Sequence, residues 1–143
     1  DGKIYLLDLI RDKWEAPELK DRAIAFWNKH KAITGQGALR EMVIEDKASG
    51  TGLIQSIKKD GKIPVKAQQR NIDKLTRVQD VTPYIKSGYV CIPANAPYIN
   101  DFVHECESFT ADDAHDHDDQ IDPLCDAIND MLANTKRGFF SWV

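Results

Sequence analysis

The chain alternates short strand-like apolar runs with stretches of helical period. Residues 3–10 (KIYLLDLI) are aliphatic, aromatic and β-branched and follow an Asp1-Gly2 turn signal, which predicts a strand entered from a hairpin, so that the chain starts mid-sheet. Pro17 suits a first helical turn. Leu19, Ala23, Phe26, Trp27 and His30 then recur at helical spacing, predicting a helix that ends at Gly35-Gln36-Gly37. Residues 41–45 (EMVIE) predict a strand ending in acids, followed by a Ser-Gly-Thr-Gly turn and an apolar-periodic helix over residues 53–59. Residues 63–67 predict another strand. Residues 71–85 predict a helix through Ile72, Leu75, Val78 and Val81 that Pro83 ends or kinks. A strand at 89–92 stopped by Pro93, a helix at 99–107 and a last helix at 123–132 complete the pattern, the last with Leu124, Ile128, Met131 and Leu132 inward. Such alternation implies an α/β layer structure. Residues 137–143 carry two Phe and a Trp without a partner pattern and read as a C-terminal tail.

With no repeat or Pro/Gly-rich linker, the 143 residues read as one domain, 1–143, with room for one active site. No apolar run approaches the roughly 20 residues of a membrane span, and no secretory signal opens the chain, so no membrane partner is expected. Cys91, Cys106 and Cys125 form no CxxC pair, which fits reduced, buried thiols of a cytosolic protein better than disulfides or a zinc knuckle. A net charge of −4 argues against coating of nucleic acid by charge alone, but the average hides a split. From Lys58 to Arg77 stand seven cations against Asp60 and Asp73, whereas Glu105 to Asp122 holds eight acids and no Lys or Arg. One stretch suits phosphates, the other cations.

Candidate chemistry follows that split. Glu45 and Asp46, in IEDKASG (residues 44–50), stand where α/β sheets place their ligands, at the end of an apolar strand. They point to opposite faces, so one can face a site while the other caps the following turn or meets solvent. Residues 112–122 (DDAHDHDDQID) pack six carboxylates and two imidazoles together; like charges this close repel unless a cation sits among them, the alternative being a solvated acidic loop. Asp122 before Pro123 reads as a helix N-cap with a first-turn proline, a structural task that Asp118 and Asp119 lack. Carboxylate oxygens suit Mg2+ or Mn2+; His115 and His117 suit a softer metal or simply loop polarity. Two such ions held about 3.5–4 Å apart are a known device for phosphodiester cleavage. Lys74 and Arg77, one turn apart, share a helix face that can hold phosphates, or be merely solvated, and no interleaved aromatics suggest base reading. The chain has no GxxxxGK[ST], GxSxG or HExxH motif, so an ATPase, an α/β-hydrolase or a zincin is not expected.

The order of KIYLLD with Arg11, Trp14 and Glu15, then IEDKASG, then Asp73-Lys74-Leu75 with Arg77, then Gly88-Tyr89-Val90 with Ile92-Pro93, and finally HDDQID (residues 117–122), resembles the nuclease domain of tailed-phage terminase large subunits. The resemblance implies an RNase H-like mixed sheet flanked by helices, and a two-metal Mg2+ or Mn2+ endonuclease that cuts concatemeric viral DNA. By position it implies Glu45 and Asp119 as catalytic acids, and Asp118 and Asp122 as further metal ligands with Asp46 as a lesser choice. It also implies Lys47, Lys74 and Arg77 as DNA contacts. Double-stranded viral DNA, the ATPase domain of the same protein, the small terminase subunit and the portal are the implied partners, in the bacterial host cytoplasm. The family's first-strand Asp has no counterpart here, so the chain is expected to lack the first strands and to need that acid for activity; Asp8 falls outside the catalytic set. Pro123 stands where the family commonly has Ala and is expected to delay the last helix. The alternatives are a non-catalytic module that docks DNA or portal, and another RNase H-like nuclease of resolvase or integrase type.

Overall fold

The structure, a computed structural model, describes residues 2–31, 39–109 and 119–134. It is α/β, and the chain divides into two compact units, Asp12–Asn71 and the combination of Asp1–Arg11 with Ile72–Val143. The expected helix stop at Gly35-Gln36-Gly37 and the 137–143 tail lie outside the described residues.

Within Asp12–Asn71 the elements are α1 (Ala16–Lys31), β2 (Met42–Glu45), α2 (Ser49–Asp60) and β3 (Val65–Gln68). Strands β2 and β3 pair in parallel, Met42 opposite Val65 through Glu45 opposite Gln68, and α2 is the crossover that parallel pairing requires. Ile54 and Ile57 are the buried side of α2. The helix stops where Gly61 takes φ 66°, its N–H reaching back to the Ile57 and Lys58 carbonyls at 3.3 and 3.1 Å. Helix α1 packs on α2, and Lys20 pairs with Asp60 at 2.7 Å. That hydrogen bond to the Lys20 ammonium holds the Asp60 carboxyl below its ordinary range.

The other unit contains β1 (Ile4–Tyr5), α3 (Lys74–Lys86), β4 (Val90–Cys91), α4 (Ile99–Ser108) and α5 (Ile121–Ile128), which runs into a π turn at Asn129–Ala133. Strands β1 and β4 are also parallel, Ile4 opposite Val90. Ile4, Val81, Ile121, Cys125 and Ile128 form the buried core between them, Ile128 being wholly inaccessible. Asp73 caps α3, accepting from the Thr76 N–H at 2.9 Å and its hydroxyl at 2.7 Å, bonds that lower the Asp73 pKa. Among the described residues no helix is long and apolar enough to cross a membrane.

Several element ends differ from the sequence expectation, among them the Ser-Gly-Thr-Gly stretch, expected as a turn, which forms the first turn of α2. The runs at 3–10 and 89–92 shrink to two-residue strands, because the ladder ends at the Leu6 N–H to Cys91 carbonyl bond and Pro93 can donate nothing further. Pro83 does not end α3, which continues to Lys86; the bond it forfeits is to the carbonyl of exposed Gln79, where water can substitute. Helix α5 starts before Pro123, not at it. The proline takes the third helical position, where an N–H would have no intrahelical partner.

All three cysteines are free thiols. Burial, reinforced by Glu105 and Glu107, pushes Cys106 up to about 11. Burial likewise raises Cys125 to about 11, against an opposing pull from Arg77. A native pKa above the unfolded one favours the thiol form, so this contribution to stability is full below about pH 9 and is lost as pH rises through about 11. Iodoacetamide at pH 8 is therefore expected to label both slowly in the native state and to accelerate only toward pH 11. Rapid native labelling of Cys125 at pH 8 would contradict this.

Candidate functional site

Parallel pairing puts the C-terminal ends of β2 and β3 on one edge, which lets Arg70, two residues beyond β3, reach Glu45. The Arg70 Nη1 to Glu45 Oε2 distance is 2.6 Å, with Arg70 only 11% exposed and Glu45 41%. The Asp46 N–H adds one more rung, to the Gln68 carbonyl at 2.9 Å. Its side chain turns to the start of α2 and accepts from the Thr51 hydroxyl at 2.8 Å, so Asp46 is the acid that secures the turn, as opposite faces on a strand require. Lys47 lies exposed on the same loop.

This loop is held in a costly shape. Ala48 has φ 51° and ψ −122°, a region that residues with a Cβ avoid, and the strain sits three residues from Glu45. Gly50 donates to the Lys47 carbonyl at 3.0 Å and passes directly beneath Glu45. A Cβ at position 50 would overlap the Glu45 carbonyl oxygen and lie 3.2 Å from its carbon. The glycine of IEDKASG is thus required by close backbone approach, and it fixes the strand end that carries the acid.

In the other unit, Asp119 occupies the turn before α5 with its side chain 77% exposed. Beside it, Gln120 and Glu105 are the buried polar residues among those described, at 8% and 6% exposure. Glu105, projecting from α4, accepts from the Gln120 backbone N–H at 2.7 Å and from its Nε2 at 2.6 Å. Arg11 supplies the counter-charge: its Nη1 lies 3.2 Å from Glu105, and its Nη2 lies 3.7 Å from Asp119.

Asp122 does not cap α5, a correction to the sequence expectation, because the helix starts one residue before it and Gln120 holds the cap position. Its carboxylate instead sits between Arg77 at 2.6 Å and Lys74 at 3.5 Å, all three side chains being about four-fifths buried or more. Arg77 is also anchored through Nε to the Ile72 carbonyl at 3.1 Å. Lys74 and Arg77 therefore do share a face, and that face meets Asp122 on α5.

The expected ligand Asp118 lies outside the described residues, with Asp112, Asp113, His115, Asp116 and His117. Among the described residues no three His, Cys, Asp or Glu side chains gather as a metal group would. Taken within its own unit, each of Glu45 and Asp119 offers carboxylate oxygens of the type that suits a hard cation, and each already faces a positive group, Arg70 or Arg11. Sequence reasoning singled out neither Arg70 nor Glu105, and it named Gly50 only as the end of the 44–50 motif. For Glu105 a signal existed, since it falls on the helical face of Ile99 and Phe102.

Neither curated proteins nor solved structures provide a match to the chain. A family model described as the terminase RNaseH-like domain matches residues 1–131, a span that takes in every contact above, and the chain belongs to that family.

Proposed function

We propose that the chain is a metal-dependent endonuclease domain of a phage DNA-packaging terminase, with Glu45 and Asp119 as its catalytic carboxylates. The observation that carries this reading is the contrast at the turn before α5: Asp119 is exposed and, among the described residues, caps no helix, while the residue after it is anchored to a buried carboxylate. Glu45 is comparable, an acid whose backbone is fixed from below by Gly50. An acid held in place but open to solvent is suited to a cation or a reacting phosphate.

In this reading Glu45, Asp118 and Asp119 are the residues that the family resemblance offers as ligands of Mg2+ or Mn2+. When bound, the metal supplies Lewis acidity and lowers the pKa of a coordinated water. Asp46 and Asp122, which the family resemblance also offered as ligands, are proposed as supports, through Thr51 and through Arg77 with Lys74. Lys47, exposed beside Glu45, suits a DNA phosphate; Lys74 and Arg77 can meet one only while shared with Asp122. Double-stranded viral DNA is the proposed substrate. The ATPase domain of the same protein, the small terminase subunit and the portal are the proposed partners, in the host cytoplasm.

Supercoiled-plasmid nicking in Mn2+, run on this chain and on a form extended at its N-terminus, tests the proposal. Nicking is expected to vanish with EDTA and to fall to background in Glu45→Ala and Asp119→Ala. Cleavage unchanged in both variants would overturn the assignment, and DNA binding indifferent to chelator with no cleavage would favour a docking module.

A further inference from the structure

We infer that Glu105 is a positioning residue that aims Asp119 at its cation, an inference that rests on the metal reading above. A carboxylate at 6% exposure is rare unless fully partnered, and this one is: both oxygens accept from Gln120, and Arg11 balances the charge. The bonds are placed where they control the site. The Gln120 N–H belongs to the cap position of α5 and has no partner inside the helix, and a negative charge near the start of a helix is favoured by the helix dipole.

Clamping the backbone and side chain of Gln120 fixes the peptide that carries Asp119. Arg11 extends the control by touching both acids, so the exposed carboxylate is tied through one guanidinium to the buried one. Asp119 is thereby oriented by a chain of contacts from α4, while its own side chain stays 77% exposed. Outer partners of this sort orient a metal-binding carboxylate without touching the metal.

Backbone hydrogen exchange, joined to Mn2+ paramagnetic broadening followed by NMR, tests the inference on the 143-residue chain. In the unsubstituted chain the Gln120 amide is expected to exchange as slowly as amides inside α5, and Mn2+ is expected to broaden Asp119 and Gln120 first. Glu105→Gln keeps the shape but removes the charge and sets an amide donor against Gln120 Nε2. It is expected to retain the circular dichroism of the fold, to speed Gln120 exchange while leaving Ile128 protected, and to weaken Mn2+ affinity about tenfold or more. Glu105→Asp, which withdraws the carboxylate but keeps its charge, is expected to act in the same direction. Fast Gln120 exchange in the unsubstituted chain would overturn the proposal whether or not any variant folds. Unchanged Mn2+ affinity in folded Glu105→Gln would make the residue purely structural and overturn it equally. Absence of any Mn2+ effect in the unsubstituted chain would remove the metal reading itself, and the proposal with it.

Discussion

Gly50→Ala is expected to lower folding stability by about 2 kcal/mol, because the added methyl meets backbone that cannot rotate away. The group in its path is the Glu45 carbonyl, at the end of β2 opposite Gln68, so relief requires the strand end and its acid to shift. The sign is what makes the test informative. In an open helix the same substitution gains roughly 0.5–1 kcal/mol. Gly52 supplies that comparison within α2, since a Cβ there would meet nothing within 4 Å. Urea denaturation should therefore move the midpoint down for Gly50→Ala and up for Gly52→Ala, at unchanged slope. Stabilisation by both would show that position 50 is not the close approach described.

Asp122→Ala should be similarly damaging, by about 2–3 kcal/mol, below the range for a fully buried pair because these side chains retain some exposure. Removing this acid leaves Arg77 and Lys74 facing one another, both largely withdrawn from water and without the carboxylate that now separates them. The loss should be present in EDTA, which separates a bridge from α3 to α5 from a ligand needed only when metal is bound. Combining Asp122→Ala with Arg77→Met should cost less than the sum of the singles, with a coupling of about 1–3 kcal/mol. Additive effects, or full stability of Asp122→Ala without metal, would return Asp122 to the ligand set.

The residues best read from sequence were those whose role is local. Glu45 ends β2 as its five-residue pattern predicts, and its opposition to Asp46 follows from strand geometry alone. Asp119, which the sequence leaves without a structural task as it does Asp118, lies exposed in the turn before α5. Arg70 was hidden because its bond to Glu45 spans a parallel crossover, so a separation of 25 positions in the chain becomes one salt bridge. Glu105 was hidden among seven other acids, its burial decided by the packing of α4. Strand lengths and the start of α5 depended on tertiary pairing and on how many helical residues precede a proline, quantities that periodicity leaves open.

Pro123 has a further effect on the acid upstream of it. A helix extended backward to include Asp119 would place the proline ring against the Asp119 carbonyl, four residues earlier, and leave that carbonyl without its N–H, at about 3 kcal/mol. Asp119 is thus kept out of α5. Asp119 stays on a turn whose orientation is set by its neighbours, so the residue that looked like a disturbance of the helix acts as the boundary between a rigid support and the group it presents.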